Sequence, residues 1–289
     1  MLSLLPLYPF TSATRRKGQP KATVAMPFTS PPSALLTPIE NNELANLTSA
    51  VQISGSPSLP TLNDLLAHAI RHNAIKTIPY LVSLGASPLS DPSFDLLYTS
   101  ADFPSFQCLV ETGMLDINID LEAIGTFLIL AVQRNNKPHV EFCLKHGADA
   151  NLGAYASRWS ALAIAAEYDV DLDIVDLLIA GGADLNSSDA LHTAAEKGRH
   201  NMVRFLIGKG ANVNAIGFEY CLSDSKANEA GTALHFAVDA NNTEAAKILI
   251  DNGADVTIRD VKGRTALERA NEKGMDDVRL YLDELGRAS

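Results

Sequence analysis

A chain of 289 residues with 34 acidic against 23 basic side chains and a net charge of −11 is poorly made for a sequence-independent grip on phosphate backbones, which needs clustered Lys and Arg. Nucleic acid is therefore not an expected partner, and no apolar run approaches the roughly 20 residues that span a bilayer. The three cysteines, Cys108, Cys143 and Cys221, lack the paired spacing of a zinc site, so free thiols in a reducing compartment, cytoplasmic or nuclear, are expected.

The first 60 residues differ from the rest. No acid precedes Glu40, and Arg15, Arg16, Lys17 and Lys21 give residues 1–39 a charge of +4, leaving −15 for the remainder. Ser and Thr are frequent here, and nine prolines fall between Pro6 and Pro60. A basic, acid-poor leader can be a mitochondrial transit peptide, but the prolines spoil the amphipathic helix such a leader forms. The reading is a disordered or linker arm over residues 1–60, with a transit peptide as the minor alternative and Met26 as an alternative start.

From residue 61 the chain repeats itself. Leu66, Leu128, Leu162, Leu191, Leu234 and Leu267 are each followed three residues later by Ala: Ala69, Ala131, Ala165, Ala194, Ala237 and Ala270. Phe94 leads the remaining unit, and the steps between leading residues are 28, 34, 34, 29, 43 and 33. A period near 33 residues marks a solenoid of helical hairpins, each burying an apolar face against the next. Seven residues after the leading positions stand Asn73, Asn135, Gly198, Asn241 and Gly274, types that tolerate the left-handed conformation ending a helix. Ala101 and Asp169 depart from that rule.

The second helix of each unit carries an apolar stripe at spacings of three and four, as in Val175, Leu178 and Ile179 or Val203, Leu206 and Ile207. Pro104 and Pro138 lie near helix starts, where a missing amide costs little. Pro79, six residues before Gly85, predicts that its helix starts late or bends. Gly85, Gly113, Gly147, Gly182, Gly210, Gly253 and Gly286 are read as helix ends.

These residues carry a resemblance to the ankyrin repeat family over roughly residues 60–289. Gly231-Thr232-Ala233-Leu234-His235-Phe236-Ala237 resembles the family's Thr-Pro-Leu-His-x-Ala signature, and Ile248 to Val256 resembles its helix-to-loop ending. The resemblance implies an all-α solenoid of about six helix-turn-helix units plus a C-terminal cap over residues 61–289. Polar groups on the last unit, among them Arg269, Glu272, Lys273 and Arg279, suit a solvated end. It also implies fingers between units that, with the first helices, line a concave partner surface. The short steps before Phe94 and Leu191 predict trimmed fingers, and the 43-residue step places Ile216 to Ala230 in an enlarged loop.

The candidate partner-binding residues are Tyr155, Arg158 and Trp159 near one fingertip and Phe218 and Tyr220 in the enlarged loop, because Trp, Tyr and Arg dominate binding hot spots. Trp159 could instead fold over a small neighbouring unit. Phe218 and Tyr220 could form a short strand packed on their own loop, or a mobile insertion. His192 and His235 match a family position whose imidazole ties the turn to neighbouring backbone. No calcium loop, phosphate-cradling glycine loop or nucleophile elbow is present, so no catalytic residue, cofactor or metal is expected.

The function expected is a monomeric, non-enzymatic scaffold that binds another protein, one with a basic patch suiting the acidic array. An adaptor joining a partner to a larger assembly such as a ubiquitin ligase is the first alternative. An accessory protein or enzyme of a small-molecule biosynthetic pathway is the second.

Overall fold

The computed structural model describes residues 33–90, 103–121, 125–153, 159–187, 189–217 and 230–288. Fifteen helices occur among them: α1 (Ser33–Glu40), α2 (Leu44–Ser54), α3 (Leu59–Arg71), α4 (Ile78–Ser83), α5 (Phe103–Glu111), α6 (Phe127–Gln133), α7 (Lys137–Lys145), α8 (Ala161–Tyr168), α9 (Leu172–Ala180), α10 (Ala190–Glu196), α11 (His200–Gly208), α12 (Ala233–Asp239), α13 (Thr243–Asp251), α14 (Ala266–Lys273) and α15 (Asp276–Ala288). They form two rows. In the inner row α1 packs on α3, and α6, α8, α10, α12 and α14 pack in succession; the outer row stacks in parallel, α7 on α9 and α11 on α13 on α15.

The recurrent Ala has two jobs. Ala69, Ala165, Ala194, Ala237 and Ala270 are fully buried, and their small side chains let inner helices lie close together. Their carbonyls also accept the amide of the residue five positions on: Ala74, Val170, Arg199, Asn242 and Met275, at 2.9–3.2 Å. Such a bond closes a helix only if the residue before the donor is left-handed. Asn73, Asn135, Asp169, Gly198, Asn241 and Gly274 all have φ between 50° and 68°. Asp169, which departs from the Asn/Gly rule, meets the same backbone demand; Ala101 lies outside the described residues.

The largest difference from expectation is at the N-terminus. Residues 33–54, assigned by sequence to the arm, form α1 and α2, and Leu35, Ile39, Leu47 and Val51 are buried with the rest of the core. Burying each such side chain stabilises by about 1.5–3 kcal/mol relative to leaving it exposed, which outweighs the loss of one helical amide at Pro38. The segment is a repeat unit in register: Leu35 leads it, Pro38 supplies the carbonyl that accepts from the Glu43 amide at 2.8 Å, and Asn42 is left-handed at φ 56°. Pro38 in place of the small Ala is what hid it. The expected boundary at residue 60 therefore lies inside the helical stack, within α3. Residues 1–32 are outside the described residues.

Other expectations fare variously. Pro79 does shorten its helix, since α4 has only six residues, and Pro104 and Pro138 stand in the first turns of α5 and α7. Gly286 does not end a helix: α15 runs through it to Ala288, because the chain makes no reversal there. Arg269 is not on a solvated face. It occupies the position, two after the leading residue, that other units fill with the buried Leu130, Ile164 and Phe236, and it is wholly buried.

Candidate partner-binding surface

Each finger is held by a side-chain relay. Asn118 donates its amide to the Gly147 carbonyl at 2.9 Å and accepts the Asp149 amide at 2.8 Å. Asn151 does the same to Gly182 and Asp184, at 2.9 and 2.8 Å. Asn186 accepts the Asn212 amide at 2.9 Å. Asn214 then reaches Gly253 and Asp255, at 3.1 and 2.8 Å. Within each finger an Asp or Asn two residues earlier accepts the relay residue's own amide, as Asp149 does from Asn151 at 2.8 Å. Among the described residues the relay thus ties the finger bases from Asn118 to Asp255 to their neighbours, and it persists through the finger shortened before Leu191.

Two histidines pin the fingers to the inner helices. His235 accepts the Thr232 amide at Nδ1, 3.2 Å away, so its other nitrogen, Nε2, donates to the Arg264 carbonyl at 3.1 Å. His192 Nε2 likewise reaches the Ala215 carbonyl at 3.0 Å. Burial lowers the pKa of both rings, which keeps them neutral and suits them to bridging rather than to proton transfer. The expected structural role of these residues is what the geometry gives.

The residues that flank positions 218–229 pair in a narrow neck. Ile216 and Thr232 form an isolated antiparallel bridge, and the Gly217 amide donates to the Gly231 carbonyl at 2.9 Å. A Cβ on Gly217 would meet His192 at 2.9 Å, and one on Gly231 would meet His235 at the same distance. Glycine is therefore required on both sides of the neck. Phe218, Tyr220 and Cys221 lie outside the described residues.

Of the first group of candidates, Tyr155 and Arg158 also lie outside the described residues. Trp159 is half-buried and packed against the core, next to Ser160, which caps α8 by accepting the Ala163 amide at 3.2 Å. Part of its indole is thus structural and part faces solvent. Sequence reasoning missed the apolar side chains that the fingers expose: Leu152 at 38%, Ile216 at 50%, Val256 at 41% and Val261 at 58%. The finger periodicity places them, but only the relay geometry separates them from core positions such as Ala150.

Sequence reasoning also missed a buried ion cluster beneath the last fingers. Arg269 donates to Asp239 at 2.9 Å and to Asp260 at 3.2 Å, while Lys273 reaches Asp239 at 2.7 Å. Arg264 joins Asp260, at 2.7 Å, to Glu272 at the same distance. Burial alone would raise the Asp260 pKa, but hydrogen bonds from the Arg264 side chain and backbone hold it below the ordinary carboxylate value. Cys143 is inert by contrast: burial pushes its thiol up to about 12.

A stacked array of helical hairpins, with histidine-pinned fingers related by a repeating asparagine relay, defines a helical repeat protein. The family model "Ankyrin repeats (3 copies)" matches residues 99–189, 128–216 and 217–287, and the chain belongs to the ankyrin-repeat family. It is 33% identical over 149 residues to the mitochondrial disaggregase of Bos taurus, covering 50% of this chain and 21% of that protein. It is 31% identical over 146 residues to inversin of Mus musculus, covering 39% and 14%. It is 33% identical over 96 residues to the putative ankyrin repeat protein FPV244 of fowlpox virus, covering 32% and 13%. The chain thus spans about a fifth or less of the length of these relatives. Among the described residues no helix is long and apolar enough to cross a membrane.

Proposed function

We infer from its ankyrin repeats that this chain is a protein–protein interaction domain. We propose that this chain is a monomeric scaffold that captures a partner protein across fingers held ready by the asparagine relay, with Trp159 as the anchor. The relay carries this reading: because the fingers are fixed before binding, little ordering entropy remains to be lost when a partner docks. Leu152, Ile216, Val256 and Val261 supply further apolar contact along successive fingers, and Tyr155, Arg158, Phe218 and Tyr220 are the other proposed contact residues. The net charge of −11 favours a partner with a basic patch and binding that weakens with salt.

The cytoplasm or nucleus is the proposed location, with the mitochondrion as the alternative suggested by the basic residues 1–39. Proximity labelling with the full chain beside Trp159→Ala tests the function. The expected result is loss of a specific partner, a tenfold or greater drop in affinity, about 1.4 kcal/mol or more, with the thermal melt little changed. A folded variant with an unchanged partner set refutes the anchor. A partner retained there but lost when residues 1–32 are removed favours the adaptor reading.

A further inference from the structure

The repeat register exposes a recurring contact between successive units. The residue five after one leading position meets residues two and six after the next. At the C-terminal end these are Asp239 with Arg269 and Lys273, at 2.9 and 2.7 Å. Two junctions earlier in the array, Glu167 meets Lys197 at 2.9 Å. Acid on one unit and a permanent cation on the next is thus a way the stack closes this point.

Between the first two units the same positions hold Glu40, His68 and His72. The acid is kept and the cations are replaced by two imidazoles, which, unlike an ammonium or guanidinium group, offer lone pairs. Glu40 Oε1 lies 3.1 Å from His68 Nε2. His68 and His72 are one helical turn apart, with ring centroids separated by 4.4 Å and planes inclined by 39°. One ligand atom from each of the three residues lies within 4.8 Å of the other two. Glu40 and His72 are exposed and His68 is half-buried, so an ion reaches the cluster from solvent without the fold opening.

We propose that Glu40, His68 and His72 bind a divalent first-row transition-metal ion of the zinc type, which supplies at this junction the positive charge that Lys and Arg supply further along. Two imidazoles and a carboxylate favour such an ion over Mg2+ or Ca2+, which take oxygen ligands. Tetrahedral zinc with ligands at about 2.0–2.2 Å sets its donor atoms roughly 3.4 Å apart. The Glu40–His68 pair already meets that spacing, and rotation of the His72 ring closes the third side. Water completes the shell. Bound there, the ion ties α1 to α3 and so fastens the N-terminal unit to the array.

The test uses the untagged full chain, stripped with chelator and titrated calorimetrically with Zn2+, alongside Co2+ followed by visible absorption. One Zn2+ per chain is expected, with a melting temperature that rises with Zn2+ but not with Mg2+. His72→Ala and Glu40→Gln, both exposed positions, are expected to keep the circular dichroism of the native chain while weakening Zn2+ binding by about tenfold or more and abolishing the thermal shift. Absence of saturable Zn2+ binding by the native chain would overturn the proposal. So would binding of equal affinity in both folded variants, since the ion would then sit elsewhere.

Discussion

The two ends of the array are closed by different means. At the C-terminal end Arg269, Asp239 and Asp260 form a buried ionic centre that Lys273, Arg264 and the exposed Glu272 extend toward solvent, and the fingers above it are tied by the asparagine relay. At the N-terminal end α1 to α4 rest mainly on apolar burial, with the Asn42 side chain accepting the Lys76 amide at 2.9 Å and Asn63 accepting that of Ser87 at the same distance. In a solenoid each unit is stabilised chiefly by its neighbours. The difference therefore teaches where the stack gives way: the apolar end opens gradually, whereas the ionic end is sensitive to the loss of a single group.

The sharpest break is at the ionic end. Arg269→Ala removes the buried guanidinium that joins Asp239 to Asp260, leaving the first with Lys273 alone and the second with Arg264 alone, and removing one partner of a buried ion network costs up to about 3–5 kcal/mol; a chemical melt is expected to show the loss across the C-terminal units. At the equivalent N-terminal junction Glu40→Gln, measured in chelator, is expected to cost under about 1 kcal/mol because Glu40 is exposed. If both substitutions cost the same, the two ends are closed alike and the comparison fails.

Leu35→Ala is expected to cost about 2–5 kcal/mol, and limited proteolysis should show it confined to α1 and α2. Loss of structure throughout the array would show that the first unit is a nucleus and not an added layer. A smaller effect is expected from Asn151→Ala, which removes two exposed hydrogen bonds, to the Gly182 carbonyl and from the Asp184 amide, at about 0.5–1.5 kcal/mol each, with faster exchange in the two fingers it joins.

The smallest effect is set by pH. His192 and His235 have pKa values lowered from 6.5 by burial. The unfolded chain therefore takes up protons first, and the stability these rings contribute is present above about pH 6.5 and lost as pH falls below it. A melting temperature lower by a few degrees at about pH 5.5 than at about pH 7.5 is expected. An unchanged value would mean that the rings are not held neutral in the folded chain.

Much of the fold was legible because the repeat makes the same backbone demands many times. Ala at one position and Asn or Gly four residues later announce a helix closed by one particular hydrogen bond, and the two histidines announce their tie to the next finger. The first unit escaped because Pro38 meets the carbonyl requirement without resembling Ala, and because a proline-rich, basic leader runs into it. Arg269 was misjudged because charge was weighed above register, although the register alone places it among Leu130, Ile164 and Phe236. The exposed finger residues were not legible, since apolar residues in a finger are buried or exposed according to contacts between units distant in sequence. The junction of Glu40 with His68 and His72 was hidden for the same reason: the acid lay in a segment read as a linker.

Hydrogen exchange of the free, full-length chain followed by mass spectrometry tests the central claim, that the fingers are fixed before any partner arrives. The amides of Asp149, Asp184, Asn212 and Asp255, which accept no help from helical hydrogen bonds and depend on the relay, are expected to be protected nearly as well as the helices they join. Exchange of these four amides at the rate of an unstructured chain would contradict the account and make ordering of the fingers part of the cost of binding.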